Sequence, residues 1–231
     1  MPFPAGAKGT LAGVVRDQYG VGVPGAVITV VGADAAVAGA GGAFSFPVSV
    51  GTYTVTASKE YFNAQSQSGV TITEGQTTTR NFTITGTAPA APGSFTSMVG
   101  GNTVHLQYQK PSSANYSGSV VRYKTTGYPT GPTDGTLLLD RAGTPSGWEV
   151  YDGPMPVGAR YYFAVYAYFQ DASRYYSGSA TTTVAVSGPA DADADGDVDL
   201  DDFSRFQTCF NGPNRPAKLP GSCGSADLDS D

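Results

Sequence analysis

The chain has 231 residues, 31 of them Gly and 16 Pro, only 14% charged residues, and a formal net charge of −6. Abundant Gly, Pro, Tyr and Phe without long blocks of helix formers exclude a helical bundle, and the aromatic and β-branched content excludes global disorder. Residues 189–231 carry ten acids against Arg205, Arg215 and Lys218 (net −7), whereas residues 1–188 carry ten basic and nine acidic residues (net +1), so no basic stripe exists to engage nucleic acid.

The opening Met1-Pro-Phe-Pro-Ala-Gly6 has neither a charged n-region nor an apolar h-region. The expectation is that either a signal peptide has been lost or the chain is an internal piece of something longer. No apolar run approaches the length of a membrane-spanning helix, about 20 residues.

From Lys8 to Thr85 the pattern is of short strands between turns. Leu11, Val14 and Val15 begin a strand, and Asp17-Gln-Tyr-Gly20 and Pro24-Gly25 are turns. Ala26–Val31 reads as a buried strand. Phe44, Phe46, Val48 and Val50 alternate with other residues, as do Tyr53, Val55 and Ala57. Val70, Ile72, Phe82 and Ile84 supply two more period-2 runs. About seven such strands predict an antiparallel β-sandwich.

Gly13-Val-Val-Arg-Asp17, Val23-Pro-Gly-Ala-Val-Ile-Thr-Val30, Gly42-Ala-Phe-Ser-Phe46, Gly51-Thr-Tyr-Thr-Val-Thr-Ala57 and Asn81-Phe-Thr-Ile84 resemble the carboxypeptidase regulatory-like (transthyretin-like) family. The resemblance implies a secreted accessory sandwich, sometimes grouped with carbohydrate-binding-like folds, and no active site.

A Pro- and Ala-rich linker follows, Gly86-Thr-Ala-Pro-Ala-Ala-Pro-Gly93. Beyond it, Val104, Leu106 and Tyr108 alternate with His105 and Gln107. Tyr161, Phe163, Val165 and Ala167 alternate with Tyr162, Ala164, Tyr166 and Tyr168. Thr181–Val186 forms a closing strand. Met155-Pro-Val-Gly-Ala-Arg-Tyr161 and the Tyr128-Pro-Thr-Gly-Pro-Thr-Asp-Gly135 run resemble bacterial fibronectin type III domains. That resemblance places Tyr161 at the tyrosine corner and Tyr108 where the family usually has a tryptophan.

The acidic end carries the most specific pattern. Asp191-Ala-Asp-Ala-Asp-Gly-Asp-Val-Asp-Leu-Asp-Asp202 reads as a twelve-residue calcium loop. Asp191, Asp193 and Asp195 occupy positions 1, 3 and 5, and Gly196 takes the sharp turn at position 6. Asp197 offers its carbonyl at position 7, and Asp199 acts at position 9 directly or through water. Asp202 closes the site at position 12, with Val198 at position 8. Calcium takes six to eight oxygens, which alternate carboxylates of a wrapping loop can supply, whereas magnesium tolerates such cages poorly. A solvated acidic linker is the alternative reading of such a run.

A strand and Gly188-Pro189 precede this loop. Leu200, Phe203, Phe206 and Phe210 follow it at helical spacing. Loop-then-helix without an entering helix resembles a dockerin type I repeat. Asp227, Asp229 and Asp231 match positions 1, 3 and 5 of a second repeat, expected to be incomplete in this chain. The resemblance implies Ca2+ as cofactor and a protein partner of the cohesin kind. Leu200 and Asp201, however, stand where cohesin-engaging dockerins carry Ser or Thr. Leu200 is expected to pack under the helix.

Cys209 and Cys223 bracket a Pro/Gly/Asn-rich connector. Too few ligands exist for an ordinary structural zinc site, so a disulfide in an oxidising compartment is expected, closing a loop of about 15 residues; two free thiols are the alternative.

Other candidates are weak. His105, the single histidine, is expected on the solvent side of its strand, with no partner nearby in sequence. Glu60, Glu74 and Glu149 show no paired-carboxylate context for glycoside hydrolysis. No nucleophile elbow, zinc-protease or phosphate-loop motif occurs. Tyr162, Tyr166 and Tyr168, with Trp148 upstream, are read as an outward aromatic stripe that could stack on sugars. Lys8 and Asn81 are the one pair that an internal isopeptide bond could join.

The expectation is therefore an all-β chain. A transthyretin-like sandwich spans residues 1–86, a linker 87–91, and a fibronectin type III-like sandwich 92–188. A small calcium loop–helix, dockerin-like segment spans 189–231. Its expected role is non-catalytic: a secreted or cell-surface monomer serving as an accessory region. The alternative is a carbohydrate-binding accessory of a polysaccharide-degrading enzyme, with polysaccharide as partner.

Overall fold

The computed structural model describes residues 6–187 together with Leu200, Asp201, Phe203 and Ser204. The fold is all-β and divides into two compact units.

The first unit runs to Pro89 and includes Phe169–Tyr175. Its strands are β1 (Lys8–Arg16), β2 (Val27–Val30), β3 (Ala35–Val37), β4 (Ala43–Ser49), β5 (Gly51–Ser58), β6 (Phe62–Asn63), β7 (Gln65–Ile72), β8 (Thr77–Thr79), β9 (Phe82–Thr83) and β10 (Thr85–Gly86). One sheet has the order β4-β1-β8, with β9 also on β1; the other has the order β3-β2-β5-β7; β10 pairs with β6. The antiparallel expectation needs correcting here, because β8 and β9 run parallel to β1. Between β1 and β8 the chain builds the whole second sheet. That long excursion brings it back to β1 from the same end, as parallel pairing requires.

Period-2 patterning places the core. Leu11 and Val15 from β1, Phe44 and Val48 from β4, Ile28 and Val30 from β2, and Val55 and Ala57 from β5 are buried together with Val70, Ile72, Phe82 and Ile84. Each fully buried aliphatic or aromatic side chain contributes roughly 1.5–3 kcal/mol. Gly13 is a close-approach glycine: a Cβ there would lie 1.7 Å from the Arg80 carbonyl oxygen. The Arg80 amide donates to the Ala12 carbonyl at 2.8 Å, holding that segment against β1.

The unit also contains a buried carboxylate. Asp17, 1% exposed, opens the turn after β1. One of its oxygens accepts the Tyr19 and Val21 amides, each at 2.9 Å, and the other accepts the Tyr175 hydroxyl at 2.8 Å. Tyr175 packs on Phe62 and Phe169 within the same core. Lys59 pairs with Asp171 at 2.7 Å, donates to the Pro24 carbonyl at 2.8 Å and lies over the Phe62 ring.

The second unit holds Ala90–Tyr168 and resumes at Tyr176. Its strands are β11 (Gly93–Gly100), β12 (Thr103–Gln109), β13 (Gly118–Lys124), β14 (Thr136–Ala142), β15 (Trp148–Pro154), β16 (Ala159–Gln170) and β17 (Arg174–Val186), the tips of the last two being counted with the first unit. Three strands in the order β11-β12-β15 face four in the order β14-β13-β16-β17. This is the seven-stranded, three-on-four arrangement of a fibronectin type III-like sandwich. Phe95, Val104, Leu106, Tyr108, Val121, Phe163, Val165 and Val186 fill its interior. Tyr108 is fully buried, standing in for the usual tryptophan. The Tyr161 hydroxyl donates to the Pro156 carbonyl at 2.9 Å, which is the bond of a tyrosine corner.

Candidate functional site

The two outer faces of the second unit differ, and the difference starts in sequence. Strand β16, Ala-Arg-Tyr-Tyr-Phe-Ala-Val-Tyr-Ala-Tyr-Phe-Gln, is apolar on both faces and is buried on both over Phe163–Phe169. The expected outward stripe is thereby corrected: Tyr166 and Tyr168 are buried, and Tyr162 is half-buried with its ring edge-on to Tyr128. Tyr168 packs edge-on to Tyr176, and Tyr166 is covered by the loop between β13 and β14. The Tyr166 hydroxyl donates to the Pro129 carbonyl at 2.9 Å, and Arg122 Nε donates to the Pro132 carbonyl at 2.9 Å. Asp134 clamps that loop by accepting from the Thr130 amide and hydroxyl and from Lys124. The Thr130 amide, then its hydroxyl, then Lys124, hold the Asp134 carboxyl down at about 2.

The opposite face, on β11-β12-β15, is open. Strand β12 alternates strictly, so Val104, Leu106 and Tyr108 point inward and His105, Gln107 and Gln109 outward. Directly opposed residues of an antiparallel pair share a face. The register therefore sets Asp152 beside His105, Val150 beside Gln107 and Trp148 beside Gln109, with Met98 and Thr96 completing the first two rows on β11. Trp148 is 52% exposed, Val150 40% and Met98 63%. His105 Nδ1 is hydrogen-bonded to the Asp152 carboxylate, a partner far away in sequence. Sequence could not supply that partner, because it lies 47 residues away and arrives only through strand register.

At the Trp148 end the face runs into a groove of about 310 Å³. Gly93, Gln109, Lys110, Ser112, Ser146 and Gly147 are among its walls. Ser146 (φ 67) and Gly147 (φ 80) take left-handed conformations just before Trp148, and strain of this kind in a non-glycine residue clusters at binding sites. The turn is held by the Lys110 amide on the Gly147 carbonyl and the Ser146 amide on the Pro111 carbonyl, both at 2.9 Å. Beneath the rim Glu149 engages Arg141 and lies 3.9 Å from Lys110. The first unit has a separate cleft of about 440 Å³ lined by Thr52, Thr71, Thr73 and Glu74 among others, with no aromatic side chain in its wall.

The remaining sequence candidates fall as follows. Asp191, Asp193, Asp195, Asp197, Asp199, Asp202, Cys209 and Cys223 lie outside the described residues, as do Asp227, Asp229 and Asp231. Leu200, Asp201, Phe203 and Ser204 have helical backbone, and the Ser204 hydroxyl donates to the Leu200 carbonyl at 2.9 Å. Leu200 is 78% exposed, so its expected packing under the helix is corrected: no described side chain covers it. Lys8 begins β1, whereas Asn81 accepts the Val14 amide at 3.0 Å near the other end of that strand. Six residues of strand separate them, about 20 Å, too far for an isopeptide bond. Among the described residues no group of three or more His, Cys, Asp or Glu side chains is gathered to hold a metal, and no helix is long and apolar enough to cross a membrane.

These features define a pair of β-sandwiches, the second of them with one open sheet face. Residues 10–85 match the family model of the carboxypeptidase regulatory-like domain. No curated protein matches the chain. Among solved structures the chain is similar to a candidate carbohydrate-binding protein from Bacteroides uniformis, at 13% identity over 78% of this chain and 100% of that one, TM-score 0.33. It is similar to a DUF3823 family protein from Bacteroides ovatus, at 16% identity over 78% and 99%, TM-score 0.32, and to the chicken CNTN1 FN1–FN3 domains, at 11% identity over 75% and 65%, TM-score 0.32. At these TM-scores none of the three bears on function.

Proposed function

We propose that the chain is a non-catalytic, extracellular accessory region that spaces and anchors, and that its acidic end binds one Ca2+. The observation that carries this reading is the register of Asp191, Asp193, Asp195, Gly196 and Asp202 immediately after the last strand of the second sandwich. Asp197 supplies a carbonyl, Asp199 a direct or water-mediated contact, and Asp202 a bidentate closure. Without a cation, seven aspartates in twelve residues repel one another, so binding orders the segment. A Cys209–Cys223 disulfide would fasten the same segment in an oxidising compartment, adding up to about 3 kcal/mol in the chain-entropy model. The partner of such a segment is another extracellular protein. Calorimetric titration of the whole chain with Ca2+ tests this: one equivalent binds in the wild type and none in Asp191→Ala. A wild type that takes up no calcium overturns the reading.

The exposed Trp148 favours a second reading, a carbohydrate-binding accessory region of a secreted polysaccharide-degrading enzyme. Retention of the chain on insoluble polysaccharide without calcium supports it; calcium-dependent capture of a protein, with no polysaccharide retention, supports the first alone.

A further inference from the structure

We propose that the outer face of β11-β12-β15, from the His105–Asp152 row to the groove beside Trp148, is the binding site for a single strand of neutral polysaccharide. This rests on the second reading above and gives it an address.

Three observations converge. The chain's one tryptophan stands half-exposed on a sheet face, although an indole contributes most when buried. Its flat ring beside Gln109 makes the usual pairing for a sugar: an apolar platform for the C–H face and an amide that both donates and accepts for the hydroxyls. Gln107, one row further along, repeats the amide. The rows lie about 7 Å apart along strands about 4.8 Å from one another, so the face offers roughly 10 by 14 Å, the footprint of a short oligosaccharide.

The second observation is continuity. Gln109 belongs both to the face and to the wall of the groove, so a chain stacked on Trp148 passes directly into a concavity of about 310 Å³. That is the lower end of the size range of small-ligand sites. The backbone at Ser146 and Gly147 fixes the groove wall and the root of Trp148 together.

The third is charge. Among the described residues on or beside the face, Asp152 and Glu149 stand against Lys110 and Arg141, so the formal charges sum to zero with His105 uncounted. A face with no net charge favours neither a uronate or sulfate chain nor a basic peptide, which leaves neutral hydroxyl-rich chains as the complementary ligand.

Because the chain has one tryptophan, its fluorescence reports this site and nothing else. The whole chain is titrated with cellohexaose, xylohexaose and mannohexaose, with polygalacturonate and heparin as charged counterparts, alongside retention on insoluble cellulose, xylan and mannan. At least one neutral hexaose is expected to change the emission saturably. Trp148→Ala should weaken retention on the matching polysaccharide tenfold or more, and Gln109→Ala about threefold or more. Both side chains are exposed, so the fold survives, as circular dichroism checks. Gln109→Ala carries the test alone if Trp148→Ala disturbs it. Undiminished retention of both variants overturns this site while leaving a carbohydrate-binding region standing. No retention of the wild type on any neutral polysaccharide overturns both. Tighter binding of polygalacturonate or heparin overturns the neutral class.

Discussion

Removing one hydroxyl, in Tyr175→Phe, isolates the buried carboxylate of the first unit. The ring keeps its packing against Phe62 and Phe169, so the change deletes only the 2.8 Å bond to Asp17. A hydrogen bond to a charged acceptor contributes about 1.5–3 kcal/mol, and Asp17 has no water to replace the lost donor because it is 1% exposed. Burial by itself raises the Asp17 carboxyl; hydrogen bonds from Ser173, Tyr175, Val21 and Tyr19 outweigh burial and bring it below its ordinary value of 3.8. A depressed carboxyl contributes stability above the unfolded-state value that is lost as pH falls through the folded one. The hydroxyl is thus worth most at neutral pH and least once Asp17 is protonated in both states. Native-state hydrogen exchange at the Tyr19 and Val21 amides reads this locally. At pH 7 the variant should exchange about 10- to 150-fold faster than wild type, the factor that 1.5–3 kcal/mol implies, and the ratio should shrink towards unity as the pH falls through the lowered folded-state value of Asp17. Identical protection at pH 7, or a ratio independent of pH, would refute the assignment of Tyr175 as the donor that holds Asp17 ionised.

Gly13→Ala should cost at least about 3 kcal/mol, because its Cβ meets backbone at Arg80 that cannot step aside. That corresponds to a fall of more than about 12 °C in the first unit's melting temperature, whereas Gly100→Ala, with open space around its Cβ, should leave melting unchanged. Asp134→Asn should speed exchange at the Thr130 amide and loosen the loop over Tyr166. In the wild type the protection from this ionised clamp is present above 3.8 and lost as pH falls through about 2.

Element existence was legible wherever the period was clean. Alternation at Val104–Gln109 gave both the strand and its inward and outward faces. Tyr161 at the foot of the sixth strand of its sandwich gave the corner bond. Where a strand is apolar on both faces, periodicity says nothing about which face is solvent. That is why Tyr166 and Tyr168 read as an outward stripe although the β13–β14 loop covers Tyr166 and Tyr168 packs against Tyr176 with its hydroxyl near Asp140. Partnerships across long separations were invisible for a different reason. Asp17 with Tyr175, and His105 with Asp152, are made by register and topology, and no local pattern in either partner points to the other.

The same contrast between strands determines where the second sandwich can present a ligand site. Strand β16 sits in the middle of the four-stranded sheet, and its double apolar face had to be covered on both sides; Pro129, Pro132 and the Asp134 clamp supply that cover. Once they do, the four-stranded face is committed to the fold. Strand β12 sits in the middle of the other sheet and alternates, so its outer residues add nothing to the core and are free to specialise. Trp148, Val150 and Met98 stand on that uncommitted face, beside amides and the hydrogen-bonded His105 and Asp152 instead of an apolar loop. Burying them would need only a covering segment like the one the opposite sheet has. Their exposure is therefore a property of this face's sequence, and a ligand that covers an indole while satisfying Gln107 and Gln109 supplies from outside what the β13–β14 loop supplies from within.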